Sequence, residues 1–191
     1  YGQGEASVRD YLSRKFEQAT PGGRIIIRDV VGPRNRQDEV ILWLNGKDGG
    51  NDNIFYDPAD NAKLAEHLRG LSTYARFQRF AKDFSDGIEY RPLEGTSVQL
   101  SAQAASEFLS KKDYVDNWRS ELHEHFAFWS FPEWEGALKD AGFKVVEGSH
   151  DYISAWQVEN RFEGKVALYD AKTHDPLPFP ATNMVLVGEK L

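Results

Sequence analysis

The spacing of hydrophobic positions along the chain changes near residue 20. Val8, Leu12 and Phe16 recur at a spacing of four residues, which predicts a helix with one buried face. Thr20 to Gly23 then supplies the proline and glycines that end helices and form turns. The segment 24–31 is rich in Ile and Val, and nearly unbroken apolar runs are typical of strands covered on both faces in parallel sheets. The pattern therefore predicts a buried central strand of an α/β fold.

The later apolar positions group into further elements. Helices are predicted to begin at Asp60, Ser72, Ser101, near Trp118 and at Ser130, and strands to lie at 98–100, 143–147, 166–169 and 183–187. Ser130 is followed by Pro132 and Glu133, the arrangement of a helix start with a capping box. The run 40–44 is compatible with a strand or with a helical turn.

The spacing of these elements predicts three parts. Residues 1–59 carry the helix, the central strand and a loop, 60–129 a helical insert, and 130–191 a helix with antiparallel core strands. The insert is longer than an ordinary crossover between strands. Inserts of this kind commonly form a lid or a wall on the substrate side.

Composition narrows the class of protein. Of the 191 residues, 40% are hydrophobic and 13% aromatic, enough for one folded domain with a substantial core. The net charge of −7 makes nucleic acid an unexpected partner, although it does not exclude a local basic groove that binds one. The chain has no cysteine, which excludes disulfides, and no apolar run near the ~18 residues of a membrane span. We predict a soluble, cytoplasmic protein without a membrane partner.

Three segments occur in an order and spacing typical of one enzyme family. The turn and strand Pro21–Asp29 is similar to the entry into that family's fifth strand, and Trp134–Val146 to its last helix and the turn into its sixth strand. Asn183–Lys190 is similar to a seventh, antiparallel strand that inserts between the other two. The chain thus resembles the carboxyl-terminal half of class I S-adenosylmethionine-dependent methyltransferases. The resemblance implies a partial, Rossmann-like sheet, and the insert 60–129 lies outside it.

The cofactor side of that family is missing from the chain. No glycine-rich loop follows a strand, and Gly2-Gln3-Gly4 precedes a helix without a strand before it. The resemblance implies methyl transfer from S-adenosylmethionine to an unidentified small-molecule or macromolecular substrate. In this interpretation the chain supplies the substrate side, Tyr1 and Gly2 lie next to the cofactor, and a missing N-terminal half binds most of it.

The absence of a preceding strand leaves one edge of the strand at 24–31 open. An apolar open edge is a site for pairing with another chain. We expect this edge to be covered by the missing N-terminal half, by a second subunit or by a swapped copy of the chain.

The carboxyl end of this strand carries the first candidate site. Ligands of open α/β sheets bind beyond the carboxyl ends of the strands, where Arg28, Asp29 and Arg34 lie. Asp29 is a candidate for accepting a proton or positioning the substrate, and the two arginines are candidates for holding an anionic group. The alternative is an internal salt bridge that caps the sheet.

The segment 121–125 is the densest titratable cluster. On a helix, Glu121 and His125 share a face and form a candidate general-base pair, whereas His123 points elsewhere. A solvated helix face is the simpler interpretation, and no metal site is predicted because no further ligand converges on the pair. In the aromatic run that follows, Trp129 is a candidate wall of an apolar substrate pocket, although most of the run is expected in the core.

The residues leave two other classes of function open. One is a non-catalytic, methyltransferase-like subunit that binds a partner through the open edge and the insert. The other is a different α/β enzyme, such as a reductase or a hydrolase. The hydrolase is disfavoured because the chain has no Gly-x-Ser-x-Gly elbow.

Overall fold

A computed structural model describes residues 2–52 and 60–191. Its helices are α1 (Gly2–Gln18), α2 (Asn61–Gly70), α3 (Thr73–Asp83), α4 (Ala102–Lys111), α5 (Trp118–Glu121), α6 (Phe131–Asp140) and α7 (Ala155–Gln157). Its strands are β1 (Arg24–Val30), β2 (Glu39–Leu44), β3 (Tyr90–Pro92), β4 (Ser97–Ser101), β5 (Lys144–Val145), β6 (His150–Tyr152), β7 (Val166–Asp170), β8 (Pro176–Leu177) and β9 (Asn183–Glu189). Within these described ranges, no helix is long and apolar enough to cross a membrane.

The chain divides into two compact units whose boundaries differ from the three predicted parts. Unit 1 draws on the ranges 2–36, 126–154 and 180–191, and unit 2 on 37–125 and 155–179. The predicted helical insert therefore shares a unit with β2 and β7, which come from either side of it in sequence. The reason is strand pairing, because β2 forms ladders with both β4 and β7.

Unit 1 is a small antiparallel sheet covered by two helices. Its strand order is β1-β9-β5, and β6 also pairs with β9. Leu12 of α1 and Leu138 of α6 pack with Met184 and Leu186 of β9 in one apolar core. A Cβ at Gly188 would lie 2.9 Å from a Leu138 methyl carbon and 3.0 Å from the Phe143 Cβ, so a larger residue there would have to displace these core side chains.

The mixed α/β class is confirmed, but the buried parallel strand predicted at 24–31 is wrong. Both sheets of the described chain are antiparallel. Ile25 and Ile27 pack towards the core of unit 1, whereas Ile26 is 70% exposed. Side chains alternate between the two faces of a strand, and α1 and α6 cover only one face here. A run of isoleucines therefore does not by itself imply cover on both sides.

Unit 2 packs helices on a five-stranded antiparallel sheet of order β3-β4-β2-β7-β8. The run 40–44, left open by its sequence, is strand β2, with Val40, Leu42 and Leu44 buried on one face. Phe77, Phe80, Phe108 and Trp118 fill the core between this sheet and the helices.

The helix predicted near Trp118 is shorter than the four-residue spacing of Trp118, Leu122 and Phe126 suggests. It ends at Glu121, and the next residues form a turn in which the His123 N–H donates to the Ser120 carbonyl. Trp118 and Leu122 belong to the core of unit 2, whereas Phe126 belongs to unit 1. Three apolar residues at helical spacing therefore serve two different units.

The predicted capping box at the start of α6 is confirmed. The Glu133 carboxylate accepts hydrogen bonds from the Ser130 main-chain N–H at 2.8 Å and from its hydroxyl at 2.6 Å, and lies 2.5 Å from the Arg36 guanidinium. Replacing Glu133 with alanine is expected to lower the free energy of unfolding by about 1–2 kcal/mol, because the helix start loses its reciprocal cap. Urea denaturation measures this, with Glu135→Ala on the same helix as the control; equal losses in the two variants would contradict it.

Candidate functional site

Two hollows of unit 2, each partly open to solvent, lie beside Trp118. One hollow of about 240 Å³ is lined by Leu64, Arg79, Asp83, Trp118, Arg119, Leu122 and His123. A second hollow of about 260 Å³ shares Leu64, Trp118 and Arg119 with the first. We call these two adjoining hollows the Trp118 cleft.

The helices that form the cleft are set by local sequence signals. Asp60 caps α2 by accepting a hydrogen bond from the Lys63 N–H, and Ser72 caps α3 by accepting one from the Ala75 N–H. On α3, Arg79 and Asp83 lie one turn apart, and the guanidinium donates to the carboxylate at 2.5 Å.

A chain of polar contacts holds the back wall of the cleft. The Trp118 indole N–H donates to the same Asp83 carboxylate oxygen at 3.1 Å, which fixes the plane of the ring. Behind it, the carboxylate of Asp52 lies 2.6 Å from a ring nitrogen of His67 and 3.9 Å from the Arg79 guanidinium. The wall is thus built from polar groups that are paired with one another.

The exposed side of the cleft carries a different kind of group. Arg119 follows Trp118 directly and is partly exposed, and it forms no ion pair with any residue in the described ranges. The other charges nearby are balanced, since Arg79 pairs with Asp83 and Asp116 pairs with Arg69. Among the described residues, Arg119 is therefore a cation of the cleft without an ion-pair partner.

The predicted site at the end of β1 is not brought together as one cluster. Arg28 and Asp29 are both exposed and, as neighbours on a strand, point to opposite faces. A side-chain oxygen of Asp29 accepts a hydrogen bond from the Val30 N–H at 2.8 Å. Arg34 donates to both carboxylate oxygens of Asp151 at 3.1 Å, so its charge is already matched. The catalytic role of Asp29 and the substrate roles of the two arginines stay predictions.

The predicted Glu121–His125 pair is not formed. Since α5 ends at Glu121, a ring nitrogen of His125 instead lies 3.2 Å from the Asp86 carboxylate. Burial raises the pKa of Glu121, Glu124 adds to that effect, and Lys111 opposes it. Within the described part of the chain, no three histidine, aspartate or glutamate side chains converge to hold a metal ion.

The remaining candidates from the sequence are Trp129, Tyr1 and Gly2. Trp129 packs edge-on against Trp134 in the core of unit 1, with ring centroids 5.0 Å apart, and its role in a substrate pocket stays a prediction. Tyr1 lies outside the described residues, and Gly2 is the first residue of α1. Nothing in the structure tests a cofactor contact at either residue.

Sequence reasoning missed most of the cleft. The four-residue spacing of Arg79 and Asp83 is a local signal of their ion pair, whereas the sequence marks Trp118 only as part of the apolar face of a helix. The contacts of His67 with Asp52 and of Trp118 with Asp83 join different elements, so no local spacing reveals them.

Comparisons with known proteins give a limited but specific result. No protein-family model matches the chain, and no solved structure matches it. It is similar to proteins named tryptophan 2,3-dioxygenase from three strains of Xanthomonas campestris pv. campestris, at 25% identity over 176 residues and 83% of this chain. The chain spans about three-fifths (59%) of the length of these relatives.

These relatives overturn the expected reaction. A dioxygenase carries out an oxidation with oxygen and not a methyl transfer, so the methyltransferase activity, the transferase class and S-adenosylmethionine as cofactor are corrected. The alternative of a non-catalytic, methyltransferase-like subunit is corrected for the same reason. The error arose because the three resembling segments describe strand order and turns, and fold-level likeness does not imply function.

Proposed function

We propose that this chain serves an oxidoreductase as its substrate-binding component, and that the Trp118 cleft binds a small aromatic carboxylic acid of amino-acid size. The observation that carries the proposal is that Arg119, which has no ion-pair partner among the described residues, lines a hollow together with the almost fully buried Trp118 and Leu122. Small-molecule sites typically combine an apolar lining with a few convergent polar groups. Arginine is suited to a carboxylate because its planar fork matches the two oxygens.

The size and charge of the cleft support this ligand class. Hollows of about 240 and 260 Å³ are at the small end of ligand sites, which favours an amino acid over a dinucleotide or a peptide. His123 lines the same space, and an unprotonated ring nitrogen there can accept a hydrogen bond from a ligand N–H. The similarity to proteins named tryptophan 2,3-dioxygenase supports an aromatic amino acid and an oxidative reaction.

The fold of unit 1 is a separate part of the proposal. Strand β9 lies antiparallel between β1 on one side and β5 and β6 on the other. This order supports unit 1 as the last strands of a Rossmann-like sheet of the class I methyltransferase type. The likeness concerns strand order alone, and no reaction or cofactor is drawn from it.

Calorimetric titration with two matched ligands tests the binding site. L-tryptophan is expected to bind, and tryptamine, which lacks the carboxylate, to bind much more weakly. Arg119→Gln is expected to weaken L-tryptophan binding by about tenfold or more, the usual scale of a lost charge-assisted hydrogen bond. Arg91→Gln, at an exposed arginine of the same unit, is the control and is expected to leave binding unchanged.

Two results would contradict the proposal. One is equal affinity for L-tryptophan and tryptamine, which would mean that no group recognises the carboxylate. The other is undiminished L-tryptophan binding by Arg119→Gln. For the oxidative part, oxygen uptake by the full-length protein should depend on L-tryptophan and fall in Arg119→Gln; uptake that ignores L-tryptophan would refute it.

A further inference from the structure

We propose that a small monovalent anion of about the size of chloride binds inside unit 2 at the Lys112 ammonium. The starting observation is the charge around Asp113. Its carboxylate oxygens lie 3.0 Å from the Arg76 guanidinium, 2.8 Å from the Lys112 ammonium and 2.7 Å from the Arg161 guanidinium. Three cations thus share one carboxylate, and we call these four residues the Lys112 cluster.

The cations of the Lys112 cluster are held away from water. The exposed fraction of the side chain is 1% for Lys112, 11% for Arg161 and 15% for Arg76. A charge buried in this way needs polar partners that replace its hydration. Since the residues that enclose Lys112 belong to this chain, a protein bound at the surface would not reach its ammonium.

The Lys112 ammonium is the least satisfied member of the cluster. A lysine ammonium carries three N–H donors. Among the described residues, only the Asp113 carboxylate accepts a hydrogen bond from it, at 2.8 Å. Arg76 and Arg161, in contrast, each donate to main-chain carbonyls as well as to that carboxylate. Unsatisfied buried donors are rare in folded proteins, and a bound water or ion is a common reason for them.

The charges favour an anion over a water molecule as the missing acceptor. Burial lowers the pKa of Lys112 to about 8, although the Asp113 carboxylate acts to raise it. The charges of Arg161 and Lys165 lower this pKa further. An anion beside the ammonium would offset the repulsion from those two cations, whereas a neutral water would not.

The backbone that supplies Arg161 to the cluster is unusual. Val158–Phe162 forms a π-helical turn, in which the Glu163 N–H donates to the Val158 carbonyl at 2.9 Å. Turns of this type are rare and occur frequently at functional sites. Here the turn places Arg161 against Asp113 and Phe162 in the core of unit 2. The convergence of the three cations is therefore built by a special backbone conformation.

The surroundings of the cluster favour a small ion. Neither hollow of the Trp118 cleft is lined by a member of the Lys112 cluster. An ammonium enclosed as closely as that of Lys112 suits an anion near the size of a water molecule better than a phosphate or an organic acid. The site is thus separate from the Trp118 cleft, and the inference does not depend on the function proposed for it.

Chloride titration of the whole chain tests this inference. The line width of the chloride signal in chlorine NMR is measured at constant ionic strength, with sodium gluconate replacing sodium chloride. Wild type is expected to broaden the signal with saturation. Lys112→Met should weaken chloride binding by about tenfold or more, the usual scale of a lost charge-assisted hydrogen bond. Lys139→Met, at an exposed lysine of α6, should bind chloride as wild type does.

A second measurement does not depend on how the variant folds. Wild-type crystals soaked in bromide are expected to show anomalous scattering from an ion in contact with the Lys112 Nζ. The absence of saturable chloride binding by wild type would overturn the proposal and assign the free donors to water. Undiminished binding by folded Lys112→Met would also overturn it, as would bromide at other positions only. Phosphate that displaces chloride at equal concentration would overturn the assignment to a small ion.

Discussion

Replacing Glu107 with leucine is expected to lower the free energy of unfolding by about 3–5 kcal/mol. Glu107 and Lys111 lie one turn apart on α4, and their side chains are 0% exposed with a nitrogen–oxygen distance of 2.8 Å. The Lys111 ammonium also donates to the Glu124 carbonyl and lies 4.8 Å from the centre of the Phe84 ring. Without Glu107, the buried Lys111 ammonium loses its hydrogen-bonded carboxylate, whose attraction is the largest of those that offset the desolvation of the cation.

The paired replacement separates this effect from lost packing. Glu107→Leu/Lys111→Met removes both charges while keeping apolar volume, and it should recover most of the stability that the single variant loses. Asp10→Ala breaks the exposed pair with Arg14, whose side chains are both 62% exposed, and should cost no more than about 0.5 kcal/mol. Urea denaturation followed by tryptophan fluorescence measures all three. If Glu107→Leu lowers the free energy of unfolding no more than Asp10→Ala does, the buried ion pair does not stabilise the fold as expected.

Stability is also expected to rise as the pH is raised from about 8 towards 10. Burial lowers the pKa of Lys112 to about 8, although Asp113, 2.8 Å away, acts to raise it; Arg161 and Lys165 lower it further. An unfolded lysine has a pKa of about 10.4. Between these two values the unfolded chain binds more protons than the folded one, so the free energy of unfolding increases with pH. The gain over the whole window is about 3 kcal/mol.

A non-titrating variant isolates this contribution. Lys112→Met removes the group, so the difference in free energy of unfolding between wild type and variant should grow in favour of the wild type from pH 8 upwards. Tyrosines titrate in both proteins, and their contribution cancels in that difference. Lys139→Met, at an exposed lysine of α6, should show the wild-type pH dependence. Parallel pH profiles for wild type and Lys112→Met would contradict the expectation.

The elements that local signals predicted well are those whose causes lie within a few residues. The apolar stripe of Val8, Leu12 and Phe16 lies in α1, and Ser130 and Glu133 form the start of α6. Strand β9 spans Asn183–Glu189, at the position that its alternating pattern predicted. Helix periodicity, caps and strand alternation act over one or two turns of chain, so they can be seen without the fold.

Such local signals predict much less of the candidate site. Glu121 and His125 have helical spacing, but α5 ends before they can share a face. His125 instead lies next to the Asp86 carboxylate. The cleft depends on Asp83 receiving the indole N–H of Trp118, a contact across 35 positions of sequence. Pairings at that separation follow from how whole elements pack, and no local spacing records them.

By itself, the sequence determined the mixed α/β class and the places where α1, α6 and β9 form, because burial patterns and caps are local. The tertiary structure alone decided that β1 pairs, among the described strands, with β9 only, and that β2 joins β4 and β7 in a second unit. It also decided which carboxylate each cation contacts, with Asp151 paired to Arg34 and no ion pair between Arg119 and a carboxylate of the described residues. The physical reason is that antiparallel pairing and the desolvation of charges depend on segments far apart in sequence, whose approach is set by the summed burial of many side chains.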